Sequence, residues 1–132
     1  MKSITLFFVA SLVVCSAQAE KQLQCKMWGH SENGGIADVQ ASAKVDELGH
    51  AALRSSQSLK AAGFECDAAY VPPKAWGPGV VWMNLTAPNG MKVKGQEKVY
   101  VDSPELRIEL EGNSENWDNG YCFCKFDESD SN

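Results

Sequence analysis

From residue 22 to residue 28 the chain alternates, with Leu23, Cys25 and Met27 on one face and polar or exposed-type residues between them. That period of two predicts a first strand. A polar loop follows over residues 30–35, with Asn33-Gly34-Gly35 as a turn. Over residues 36–63 the pattern changes. Ala41, Val45, Leu48, Ala52 and Leu59 recur at helical steps, an apolar stripe that predicts the chain's one helix. Lys60 in its last turn and Gly63 just beyond form a C-terminal stop, and Gly49 kinks or divides it. After Gly63 the period returns to two: Phe64, Cys66, Ala68 and Tyr70 alternate against Glu65, Asp67 and Ala69. Residues 71–79, VPPKAWGPG, form a rigid loop, because prolines hold φ and remove donors. A strand over 80–86 turns Val81, Met83 and Leu85 to one face, and Pro88-Asn89-Gly90 is a tight turn. A short strand over 91–94 precedes a hairpin of 98–102 and 105–111 closed at Ser103-Pro104, with Leu106, Ile108 and Leu110 inward. A polar loop leads to the last strand, 121–126. Strand, helix, then antiparallel strands give an expected α+β fold, one helix packed on one face of a twisted antiparallel sheet.

The first residues stand apart from this pattern. Lys2, the apolar run 4–14 and Ala17-Gln18-Ala19 have the arrangement of a secretory signal peptide cleaved after Ala19. The run is short for a bilayer span. Val14 stands where a lipoprotein signal needs a small residue before Cys15. The expected organisation is a leader over 1–19, a single secreted domain over 20–126 and an acidic disordered tail over 127–132. With 17 acidic against 12 basic residues the net charge is −5, and Lys2 leaves with the leader. Nonspecific binding to nucleic acid or an anionic membrane needs the opposite sign, so neither is an expected partner. A soluble extracellular monomer is expected.

Four cysteines remain after the leader: Cys25, Cys66, Cys122 and Cys124. An even number in a short secreted chain points to two disulfides. Cys122 and Cys124, in GYCFCKF, share one face of a strand. A bridge between them would be strained, so each reaches one of Cys25 and Cys66. Which goes to which stays open. The paired spacing usual in a zinc site, about two to four residues between cysteines, is missing, and no CxxC redox motif occurs. No metal or cofactor is expected.

Chemistry is sparse. His30 in a loop and His50 in the expected helix have no Ser, Asp or Cys partner in a catalytic spacing. Glu65 and Asp67 share a strand face, as do Glu109 and Glu111. Paired carboxylates can hydrolyse glycosides, although acids alternating on a wet face ordinarily serve solubility. No phosphate-binding loop or GxSxG is present. Asn84-Leu85-Thr86 is a glycosylation sequon. Trp76 and Trp117 lie on polar or proline-rich loops and form the candidate contact surface.

The leader, the short acidic domain, the four cysteines and the lack of a catalytic motif resemble the small secreted cysteine-containing effectors of plant-associated fungi. The order Gln24-Cys25, helix, Val81-Trp82-Met83, Lys98-Val99-Tyr100-Val101 and Cys122 or Cys124 is also similar to the fungal guanyl-specific ribonucleases and their effector relatives. That resemblance implies a terminal cysteine bonded back to the first strand. It also implies that the enzyme is missing. Val81 stands where the family has its catalytic glutamate, Lys98 where it has an arginine, and no histidine lies near Glu111 and Gly112. A killer-toxin-like α/β sandwich fits the same element order. The expected function is a non-enzymatic secreted effector or virulence protein that binds a host protein or ligand to modulate host defence, with entry into host cells left open. The alternatives are a receptor-directed toxin and a small hydrolase using Glu65, Glu109 or a histidine. The hydrolase requires His30, His50 and a carboxylate in one cleft.

Overall fold

The computed structural model describes residues 20–32, 35–100, 105–112 and 117–129. The expected leader over 1–19, the expected turn at Ser103-Pro104 and residues 130–132 lie outside them. The described residues form β1 (Glu20–His30), β2 (Ile36–Lys44), β3 (Ala51–Leu53), β4 (Leu59–Ala61), β5 (Phe64–Val71), β6 (Gly79–Thr86), β7 (Lys92–Val99), β8 (Glu105–Leu110) and β9 (Asn119–Ser129). A four-stranded antiparallel sheet has the order β2-β1-β9-β8. A five-stranded antiparallel sheet has the order β3-β5-β6-β7, with β4 also paired to β5.

The expected α+β fold is therefore corrected: among the described residues there is no α-helix, and the molecule is a nearly all-β pair of sheets. The ribonuclease-like and killer-toxin-like arrangements fail with it, since both require the helix. Residues 36–63 instead make β2, β3, a single 3-10 turn at Ser55–Gln57 and β4. The reason is in the sequence. Ala37, Val39, Ala41, Ala43 and Val45 alternate with Asp38, Gln40, Ser42 and Lys44, a strand period that the helical stripe obscured. Three local breaks then interrupt any helix. The Asp46 carboxylate accepts N–H bonds from Leu48 and His50, both at 2.9 Å, and holds a turn there. Ser55 has φ 57°. Ala62 and Gly63 have φ 52° and 82°, the two positive values of a type I′ turn, and they join β4 to β5 as a hairpin. Gly63 is thus a hairpin residue rather than a helix stop.

The hairpin expected from 98–102 and 105–111 is also corrected. β7 ends the five-stranded sheet beside β6, whereas β8 belongs to the other sheet and pairs with β9. The chain crosses between layers at that point. Val99 is buried at 2% exposure, and Ile108 and Leu110 at 7% and 1%, so each strand contributes to the core from its own layer.

The core lies between the two sheets. Leu23, Cys25 and Met27 of β1 and Cys122, Cys124 and Phe126 of β9 face Cys66, Ala68 and Tyr70 of β5 and Val81, Met83 and Leu85 of β6. Each of these is at most 3% exposed. The Tyr70 and Phe126 rings stack across the layers at 3.9 Å between centroids. Cys25 and Cys124 are directly opposed on β1 and β9, and they are bonded within their sheet with Cα atoms 4.1 Å apart. Cys66 and Cys122 are bonded from one sheet to the other. Adjacent inward positions of one strand thus supply one bridge along a layer and one bridge across the core.

The antiparallel strands define two ends. At the first lie the β2–β3 connection, the β5–β6 connection and the exit of β7. At the second lie the β1–β2, β4–β5, β6–β7 and β8–β9 connections, and Phe64 packs there. Gly29 and Gly120 are directly opposed beneath the Phe64 ring, and a Cβ on Gly29 would come within 2.9 Å of that ring. β9 runs to Ser129, so 127–129 continue the ladder opposite 20–22.

Candidate functional site

The first end carries the three most exposed of the large apolar side chains among the described residues. Leu48 is 74% exposed, Trp76 83% and Tyr100 71%, one from each of the three connections there. Their positions have local causes. Lys74 and Gly77 exchange backbone bonds of 2.9 and 3.1 Å, which closes a tight turn with Ala75 and Trp76 at its tip. The Lys74 ammonium lies 5.7 Å from the Trp76 ring centroid. Leu48 is held out by the Asp46 turn, and the His50 N–H, the strongest influence on Asp46, holds that carboxyl below its usual range. Pro72 stands against Gly49, so the β2–β3 and β5–β6 connections touch. Tyr100 follows Val99, which pairs with Gly79 at the base of the Trp76 loop. The sheets below are cross-linked by two disulfides, and the three loops project from that frame.

The outer face of the four-stranded sheet is a second surface. Strand registers set its rows: Asp38, Trp28, Tyr121 and Glu109; then Gln40, Lys26, Phe123 and Arg107; then Ser42, Gln24, Lys125 and Glu105. Trp28 and Tyr121 stack at 6.3 Å with planes 22° apart. Arg107 covers Tyr121 at 4.1 Å while bonding Glu109 at 2.7 Å, and Lys26 lies 5.8 Å from the Phe123 centroid. An open depression of about 520 Å³ lies between β2, β1 and β9 on this face.

On the outer face of the five-stranded sheet, Glu65 and Asp67 stand side by side on β5. The Ser58 hydroxyl donates to Glu65 Oε2 at 2.7 Å, and Lys60 is 3.9 Å from the same oxygen. Asp67 Oδ1 is buried and has no hydrogen-bond partner among the described residues. Burial first, and the Glu65 charge second, push the Asp67 carboxyl above its ordinary value, against the pull of Arg54, Lys60 and Ser58. Asn84 lies opposite Asp67 on β6, half-buried and on the same outward face as Trp82. Arg54 covers Trp82 at 5.5 Å.

The second end holds Trp117, 57% exposed, and His30. The structure therefore separates Trp76 from Trp117 by the length of the sandwich. It also separates His30 from His50, which lies at the first end with Nε2 buried and without a partner among the described residues. Glu109 faces outward on the four-stranded sheet and Glu65 outward on the other. The cleft that a histidine-based hydrolase requires is not assembled. What organises the second end is Asp118, only 4% exposed. Its Oδ1 accepts the Glu32 N–H at 3.1 Å and its Oδ2 the Asn89 N–H at 3.2 Å. One carboxylate ties three connections together. Asp118 escaped sequence reading because its partners are backbone groups 86 and 29 residues away.

No group of three or more His, Cys, Asp or Glu side chains able to hold a metal ion occurs among the described residues. No helix among them is long and apolar enough to cross a membrane. No protein-family model, curated protein or solved structure matches the chain. Leu48 and Tyr100 were not legible as surface residues, since the helical stripe placed Leu48 inward and Tyr100 stood inside an expected strand. Exposure of both follows from connections that only the sheet pairing creates.

Proposed function

We propose that the protein is a secreted, non-enzymatic binding protein of the effector type, and that its first end, Leu48, Trp76 and Tyr100, engages a host protein. The observation that carries this reading is the exposure of all three side chains, 71% to 83%, on three different connections at one end. Large aromatic anchors on stiff loops are the usual centres of protein interfaces. Keeping two such aromatic groups and Leu48 in water has a hydrophobic cost that a partner would recover. The leader and the disulfide framework support an extracellular site of action.

The test is a pull-down with the oxidised chain against plant extracellular and cytosolic extracts, beside a Leu48→Ser, Trp76→Ala, Tyr100→Ser variant. All three side chains are exposed, so the variant keeps its fold. A defined partner held by the wild type and lost by the variant is the expected result. A partner held equally by both overturns the reading.

A second reading, a small hydrolase, is favoured by one observation: the raised Asp67 carboxyl beside Glu65. Two carboxyls in unlike surroundings on one strand face are the kind of pair that glycoside hydrolysis uses. It requires glycan cleavage that Asp67→Asn abolishes.

A further inference from the structure

β2 is an end strand of the four-stranded sheet and, among the described residues, pairs on one side only, with β1. The register shows which of its backbone groups that pairing uses. Cys25 and Cys124 stand directly opposite on β1 and β9 with Cα atoms 4.1 Å apart, the short spacing of a pair that exchanges no backbone bonds. Cys25 therefore turns its N–H and C=O to the other side, toward Ala41 of β2. The Ser31 N–H, which donates to the Gly35 carbonyl at 2.9 Å, has the same parity. Ala37, Val39, Ala41 and Ala43 are thus the residues bonded to β1, and Asp38, Gln40 and Ser42 point their N–H and C=O groups away from it, out of the sheet edge.

This edge differs from the others. β7 carries Lys92, Lys94, Glu97 and Lys98, and β8 carries Glu105, Arg107 and Glu109, charges dense enough to keep other strands away. β3 and β4 are three residues long each. β2 runs for nine residues, without proline or glycine, and its charges are Asp38 and Lys44 alone. Ala41 lies on its inward row and is nevertheless exposed, so the opposite sheet does not close over the middle of this edge.

We propose that a second copy of this chain completes the edge, adding its own β2 antiparallel about a two-fold axis at Gln40, so that the two four-stranded sheets become one continuous sheet. β2 is complementary to itself in that register. Gln40 meets Gln40, and their amides donate and accept in both directions. Asp38 meets Ser42 twice, an acceptor opposite a donor, and Ile36, 63% exposed, lies against the Lys44 stem. On the inward row Ala37 meets Ala43 and Val39 meets Ala41, all small enough to pair closely. No like charges are opposed. The acid and the base of β2 cancel, so the edge itself adds nothing to the repulsion between two chains of net charge −5. Antiparallel pairing sets the Leu48, Trp76 and Tyr100 ends of the two copies at opposite extremes, so the pair offers that surface twice.

Sedimentation of the oxidised chain at rising concentration, up to about 1 mM, tests this. The expected result is a reversible monomer–dimer association that strengthens with salt, because salt screens the repulsion between like-charged copies. Gln40→Lys sets two ammonium groups face to face at the axis and should weaken the dimer about fivefold or more. Gln40→Pro removes an edge N–H that β1 does not use, so it should leave the circular dichroism unchanged and abolish the dimer. Ala41→Pro removes an N–H that β1 does use and should lower the thermal midpoint. The Leu48→Ser, Trp76→Ala, Tyr100→Ser variant should pair as the wild type does, which keeps this test apart from that of the loop end. A monomer at every concentration, a dimer indifferent to both Gln40 substitutions, an Ala41→Pro variant as stable as the wild type, or a dimer lost in the loop-end variant each overturns the proposal.

Discussion

Ala62 has φ 52°, where a β-carbon crowds the backbone and costs about 1 kcal/mol. Its neighbour Gly63, at φ 82°, carries no such cost. The type I′ turn they form prefers Asn-Gly, so Ala62→Asn should stabilise the protein by about 0.5–1 kcal/mol, read as a higher midpoint in thermal unfolding. Asp67 offers a test of opposite character. Its folded carboxyl sits above the ordinary value, so the folded state binds the proton more tightly than the unfolded state. Its contribution to stability is full below the unfolded value and is lost as pH rises through the folded one. Asp67→Asn removes that dependence. The wild type should therefore gain stability relative to Asp67→Asn as pH falls from 7 to about 4, in paired denaturant titrations. A difference independent of pH would refute the assignment. The acidic pair was visible in the sequence as alternating residues, but its shift was not. The shift arises from packing around Asp67 and from the Glu65 charge, against the opposing pull of Arg54 and Ser58, which the β3–β4 connection brings alongside.

At the scale of elements, the disulfides do unequal work. Cys25–Cys124 joins strands already paired by a full ladder, while Cys66–Cys122 joins two sheets that otherwise meet only through side chains. Replacing Cys66 and Cys122 by Ala should cost about 3–4 kcal/mol, because a crosslink closing 56 residues restrains the unfolded chain strongly. Chemical denaturation of the double variant would show it, and a loss below 1 kcal/mol would mean that side-chain packing alone sets the distance between the layers. β1, β5, β6 and β9 were legible from alternation because large apolar residues mark their inner faces. β2 was not, because its inner residues are mostly alanine. Alanine suits a helix as well as a strand edge, and the stripe at Val45, Leu48, Ala52 and Leu59 then extended a helix through three turns that break it.

At the scale of the whole molecule, the two loop tryptophans stand at opposite ends of the sandwich. Their effects should separate. Trp76→Ala should remove most of the proposed partner binding, and Trp117→Ala should leave it within about twofold, since distant sites act independently. Equal losses from both would require a partner that wraps the full length of the sheets.

By itself the sequence determined the inward faces of the large-residue strands and the placing of Cys25, Cys66, Cys122 and Cys124 on such faces, because each of these is a matter of a few neighbouring residues. The tertiary structure alone decided the rest. It paired the first described strand with the last, put β7 and β8 in different layers, and gathered Leu48, Trp76 and Tyr100 at one end. It also set Lys26 and Phe123 around one depression. Those choices depend on which apolar faces cover one another across the core, and that energy belongs to contacts between residues far apart in the chain.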